Sequence, residues 1–143
     1  MRVLAIDPGE KRLGIAISDP TNTVANPLIV ISHESRLIDA ARINQLAIEQ
    51  GAGLIVVGQS TDDEGKPTFE GRRAARLAAT IRTQTELPVV LWDESFSTQD
   101  ARLASIQLGV SARKRQRHGN HHLDALAATV ILQSYLDAHA RHP

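Results

Sequence analysis

Four consecutive apolar residues, Val3, Leu4, Ala5 and Ile6, constrain this chain more than any other feature. Side chains alternate across a strand, so a strand apolar at every position needs cover on both faces. Such a strand belongs in the interior of a sheet, with helices above and below it. It runs from Arg2 to Asp7 and stops at the turn signal Pro8-Gly9. A second run, Leu13 to Ser18, follows at once and closes at Asp19-Pro20. The third, Thr23 to Ile31, contains Pro27, which a sheet tolerates at an edge or a bulge. Links this short predict an antiparallel meander with the third strand outermost.

The period then becomes helical. Leu37, Ala41, Ile43 or Asn44, Leu46 and Ala47 recur at helix spacing, with Ser35 as cap and Gly51 and Gly53 as stops. Leu54 to Val57 reads as a buried strand, and Gln59 to Thr68 as a polar loop. A helix follows from Glu70 to Thr85, with Ala74, Leu77, Ala78 and Ile81 on one face. Leu87 to Trp92 is the last strand, with Trp92 in the core. Ser97 or Thr98 caps a helix through Leu108, the stretch 109–119 is a basic loop, and a final helix runs from Leu123 to about Ala138. The order β-β-β-α-β-α-β-α-α predicts an α/β fold, a five-stranded mixed sheet with helices on both faces.

A chain of 143 residues, 42% of them apolar, is expected to form one domain over 1–138, with a frayed tail at 139–143. No apolar run approaches the ~18 residues of a membrane span. The first residues carry charge on both sides of a short apolar run, so no signal peptide is expected. The absence of cysteine excludes disulfides, a thiol nucleophile and a sulfur-bound zinc, and fits a reducing, cytoplasmic setting. Basic and acidic residues balance at 16 each, but unevenly. From Arg102 onward six basic residues face two acids, Asp124 and Asp137. That asymmetry keeps nucleic acid among the expected partners despite the zero net charge.

Three acids lie at the ends of elements: Asp7 after the first strand, Glu94 beside Asp93 after the last, and Asp124 early in the final helix. Carboxyl ends of parallel strands share one crevice, where open α/β sheets hold ligands. Carboxylates gathered there repel one another unless a cation binds, and an all-oxygen set suits Mg²⁺ or Mn²⁺. Two such ions clamp the attacking and leaving oxygens of a phosphodiester displacement with water as nucleophile. An aspartate after a strand also forms turns, and one in the first turn of a helix also complements its dipole. Spacing alone does not choose between Asp93 and Glu94.

Lys11 and Arg12 stand between Gly9 and Gly14, at the tip of a predicted hairpin beside Asp7, placed to hold phosphate. The segment lacks the P-loop pattern. Arg113, Lys114, Arg115 and Arg117 form the densest basic run, suited to backbone contact with nucleic acid. No aromatic residues interleave with it, so a base-stacking platform is not expected. His121 and His122, close to Asp124, are candidates for an auxiliary proton-transfer or phosphate-contacting role. No serine-centred catalytic set and no zinc motif is present.

Four segments together resemble a known family. They are Asp7-Pro-Gly-Glu-Lys-Arg-Leu-Gly14, Gly58-Gln-Ser60, Asp93-Glu-Ser-Phe-Ser-Thr98, and the stretch from Gly109 through Arg113-Lys-Arg115 to Asp124 and the apolar helix after it. The chain resembles, over nearly its whole length, the bacterial YqgF/RuvX proteins, described as Holliday junction resolvases and as pre-16S ribosomal RNA nucleases. The resemblance implies a ribonuclease H-like fold and a metal-dependent nuclease with Asp7, Glu94 and Asp124 as acidic, metal-holding set, and it favours Glu94 over Asp93. It implies 5′-end processing of precursor 16S rRNA, with ribosomal components as possible company and a monomer or homodimer as the acting form. The alternatives are a junction resolvase on branched DNA, a DNA or RNA exonuclease, and a noncatalytic nucleic-acid-binding protein. The chain departs from the family at Gln59-Ser60, where Leu-Pro is usual, at Ser95, where arginine is usual, and at His121-His122 before Asp124.

Overall fold

The structure, a computed structural model, describes residues 1–97 and 121–140. Five strands form one sheet: β1 (Arg2–Pro8), β2 (Arg12–Ser18), β3 (Ala25–Ser32), β4 (Ala52–Gln59) and β5 (Val89–Asp93). Helices α1 (Arg36–Gln50) and α2 (Phe69–Gln84) connect β3 to β4 and β4 to β5, a 3₁₀ turn (Glu94–Ser97) follows β5, and α3 (His121–Ala140) completes the set. The strand order is β3-β2-β1-β4-β5. β1–β2 and β2–β3 are antiparallel, while β1–β4 and β4–β5 are parallel. This is the predicted mixed α/β sheet in the ribonuclease H-like arrangement. The expected helix to Leu108 and the basic run at 113–117 lie outside the described residues.

β1 is central and covered on both faces, as its composition requires. Leu4 and Ile6 join Ile55, Val57, Ile43 and Ile81 in the core under α1 and α2. Val3 and Ala5 join Val56, Ala128, Ile131 and Leu132 in the core under α3. Each fully buried Leu or Ile removes enough apolar surface to contribute ~1.5–3 kcal/mol. Pro27 sits in the edge strand β3, opposite Ala16, where the β2–β3 register shifts. An edge strand and a register irregularity are the positions where a sheet tolerates proline.

Caps fix the helices. The Ser35 side chain accepts from the Ile38 N–H, and Gly51 ends α1 in the left-handed region at φ 67°. Thr68 caps α2 by accepting from the Gly71 N–H. One expectation is corrected in α1. The buried stripe is Asp39, Ala40, Ile43, Asn44 and Ala47, whereas Leu37 is 68% exposed and Ala41 is also outside. Asp39 sets this rotation: its carboxylate is drawn inward by the His33 ring and by the Glu34 N–H at 3.1 Å. In α2, Ala74, Leu77, Ala78 and Ile81 are buried as the spacing predicts.

Candidate functional site

The pleat decides what reaches the carboxyl edge. Residues two apart share a face, so Asp7 follows Val3 and Ala5 onto the α3 side. Gly58 follows Val56 onto the same side and lies level with Asp7, since Ile6 pairs with Val57 across β1–β4. Glu94, the first residue after β5, folds back over Gly58. A β-carbon at Gly58 would stand 3.2 Å from Glu94 Oε1 and 2.6 Å from Ile131 Cδ1. Glycine here leaves the space that the Glu94 carboxyl fills.

Asp7 and Glu94 meet: their carboxyl groups share a hydrogen bond. Burial, followed by the charge and hydrogen bond of Asp7, pushes Glu94 from an ordinary 4.5 up to about 7. Asp93 and Glu70 add further repulsion. Asp93 itself faces elsewhere. Burial raises it, but the Ser95 N–H at 2.9 Å and the Thr61 hydroxyl at 2.9 Å donate to it and hold it below the usual range. The two adjacent acids that spacing left equal thus have different surroundings, and Glu94 is the one beside Asp7.

Asp124 is the fourth residue of α3. In α3, Ile131 lies over Gly58, and Gln133 accepts from the Ala25 N–H and donates to Thr23 O. The side chain of Asp124, like those of His121 and His122, lies outside the described residues. Lys11 and Arg12 are exposed in the β1–β2 turn. This turn is closed by the Gly9 N–H on Arg12 O at 2.9 Å. Among the described residues no group of three metal-ligating side chains occurs, and no helix is long and apolar enough to cross a membrane. Trp92 packs edge-on against Tyr135 at 5.3 Å and donates to Ser134, a packing role.

The donors present fit a hard divalent cation. Two carboxylates pressed together, one partly buried and raised toward neutral pH by the other, are stabilised when a cation binds between them. Sequence reasoning missed three contributors. Gly58 is detectable as a glycine ending the buried run Leu54 to Val57, but its role as a cradle is not. Thr61 and Glu70 reach the site only through the β4–α2 fold, where Thr61 bridges Pro67 and Thr68 N–H donates to Ser60 O at 3.1 Å.

Comparison with known proteins gives one answer. A family described as "RuvX: Holliday junction resolvase" matches residues 1–138. A protein named "Putative pre-16S rRNA nuclease" from Thermoanaerobacter pseudethanolicus is 33% identical over 138 residues, covering 96% of this chain and 97% of its own. One of the same name from Geobacillus thermodenitrificans is 39% identical over 140 residues, covering 96% and 99%. Thermus thermophilus RuvC, solved with a Holliday junction substrate, shares the fold at a TM-score of 0.63 and 15% identity, over 99% of this chain and 96% of that one. The match over nearly the whole chain, from both family and individual relatives, makes this chain a member of the RuvX family.

Proposed function

We propose that this chain is a metal-dependent phosphodiesterase that trims structured nucleic acid, with the 5′ end of precursor 16S rRNA as its substrate. The observation that carries the reading is the meeting of Asp7 and Glu94 over Gly58 at the carboxyl edge of the sheet. The names of the relatives favour ribosomal RNA. In this reading Asp7 and Glu94, joined by Asp124 from α3, hold Mg²⁺ or Mn²⁺. The ion when bound lowers the pKa of water and stabilises charge on the leaving oxygen. Asp7 and Glu94 would hold that ion at the carboxyl edge, so that the reacting phosphate sits against it rather than against the carboxylates. Lys11, Arg12, Arg113, Lys114, Arg115 and Arg117 grip the backbone, and His121 or His122 exchanges a proton near the leaving group. Ribosomal components are the expected company in the cytoplasm.

A second reading, resolution of a four-way DNA junction, rests on the family's description. It requires symmetric cuts and therefore a homodimer. Cleavage of labelled precursor rRNA, single-stranded RNA and a four-way junction, each in EDTA, Mg²⁺ and Mn²⁺, tests both. The expected result is metal-dependent cleavage of the rRNA precursor, reduced at least ~100-fold in Asp7→Ala. Preference for the junction with paired cuts selects the second reading. Binding without cleavage of any substrate contradicts both.

A further inference from the structure

We infer that a basic groove on the α1/α2 face is a second phosphate-binding subsite, which holds the backbone of a nucleic-acid strand that rounds the β1–β2 turn from the carboxylate pair. The inference rests on the nuclease reading and extends it.

The groove has a volume of about 320 Å³, at the small end of ligand pockets. Arg36 enters it from the first turn of α1, and Arg73 and Arg76 from α2, with His33 alongside. Pro8 and Gly9 form the wall towards β1. Its one lining carboxylate, Asp39, is 2% exposed and is committed to the His33 ring and the Glu34 N–H. Arg73 is held by Glu70 at 3.7 Å. Arg36 and Arg76 are exposed and have no carboxylate within ion-pair distance among the described residues. Two helices thus line one concavity with three arginines, beside the positive end of α1. Guanidinium forks match phosphate oxygens in geometry as well as charge.

The position argues for a strand rather than a free anion. Pro8 is the chain neighbour of Asp7, yet the groove lies on the other face of the sheet, with Leu13 of the α1/α2 core in its wall. The turn between them carries the exposed Lys11 and Arg12, and Lys11 O accepts the His33 N–H at 2.9 Å. Glu70, whose charge reaches Glu94, is the partner of Arg73 in the groove. The exposed cations Lys11 and Arg12 thus lie between the carboxylate pair and the groove. Contacts of this kind position a backbone without reading its sequence.

The test is equilibrium binding in EDTA of a fluorescently labelled RNA hairpin with a single-stranded tail, and of a labelled four-way DNA junction. Wild type is compared with the Arg36→Gln/Arg76→Gln double variant. Arg42→Gln is the control, an α1 arginine outside the groove that donates to Ser32 O. Melting curves establish that each variant folds. The double variant is expected to bind about tenfold more weakly, and the slope of log affinity against log salt to fall by ~1.4–1.8 for two lost phosphate contacts. Arg42→Gln leaves both unchanged. Arginine side-chain NMR supplies the second arm, in which the hairpin moves the Arg36 and Arg76 Nε–Hε signals. Wild-type binding matched by the double variant overturns the subsite and leaves the nuclease reading standing. So does a response of these signals to inorganic phosphate but not to the hairpin. Failure of the wild type to bind either nucleic acid overturns both.

Discussion

Glu94 occupies a position that is unfavourable for a charged carboxylate. Burial and Asp7 raise it to about 7 from 4.5, so between those values the folded protein holds a proton that the unfolded chain has released. The sign follows from linkage: folding binds protons in that window, so its stabilising share is full below 4.5 and is lost as pH rises through about 7. In EDTA, Tm is expected to fall across this window, and Glu94→Gln to flatten the fall; an unchanged slope in the variant would contradict the assignment. Gly58 belongs to the same local problem. In Gly58→Ala the new methyl meets Ile131 and Glu94 together. The expected loss is about 1–3 kcal/mol in urea unfolding, with metal-dependent cleavage reduced roughly tenfold or more as Glu94 is displaced. A variant with wild-type activity would show that Glu94 needs no such space. Neither feature was legible from spacing. Asp93 and Glu94 are neighbours in sequence, and what distinguishes them is Thr61, 32 residues from Asp93.

At the level of elements, local rules were legible wherever the signal was itself local. Ser35 and Gly51 bracket α1 as their chemistry dictates, and Pro27 marks the edge strand because an interior one would lose a ladder bond. The rotation of α1 was not legible, since apolar spacing favours burying Leu37, whereas Asp39 turns inward to bond the residues just before the helix, His33 and Glu34. That rotation also buries Asn44, whose side-chain amide has no hydrogen-bond partner among the described residues. A buried amide left unpaired costs about 1–3 kcal/mol. Asn44→Leu is therefore expected to stabilise the protein by about 1 kcal/mol or more, read as a higher urea midpoint at unchanged m-value. A lower midpoint would mean that the amide is satisfied.

For the whole molecule, the order of strands is what makes a site out of separated acids. The meander puts β1 in the centre, and two crossovers add β4 and β5 in parallel. Asp7 and Glu94 then share one edge although most of the described chain lies between them. Composition and apolar runs made the mixed sheet and its opening meander legible; they did not make the contact legible, because strand order, register and pleat, not spacing, bring the two carboxylates to one face. We propose that this pair binds a divalent cation. The most direct measurement is Mn²⁺ binding followed by electron paramagnetic resonance, above the Glu94 value of about 7. Wild type is expected to bind Mn²⁺, and Asp7→Asn and Glu94→Gln each to weaken it at least ~10-fold. Equal Mn²⁺ affinity in all three proteins would place the ion away from Asp7 and Glu94.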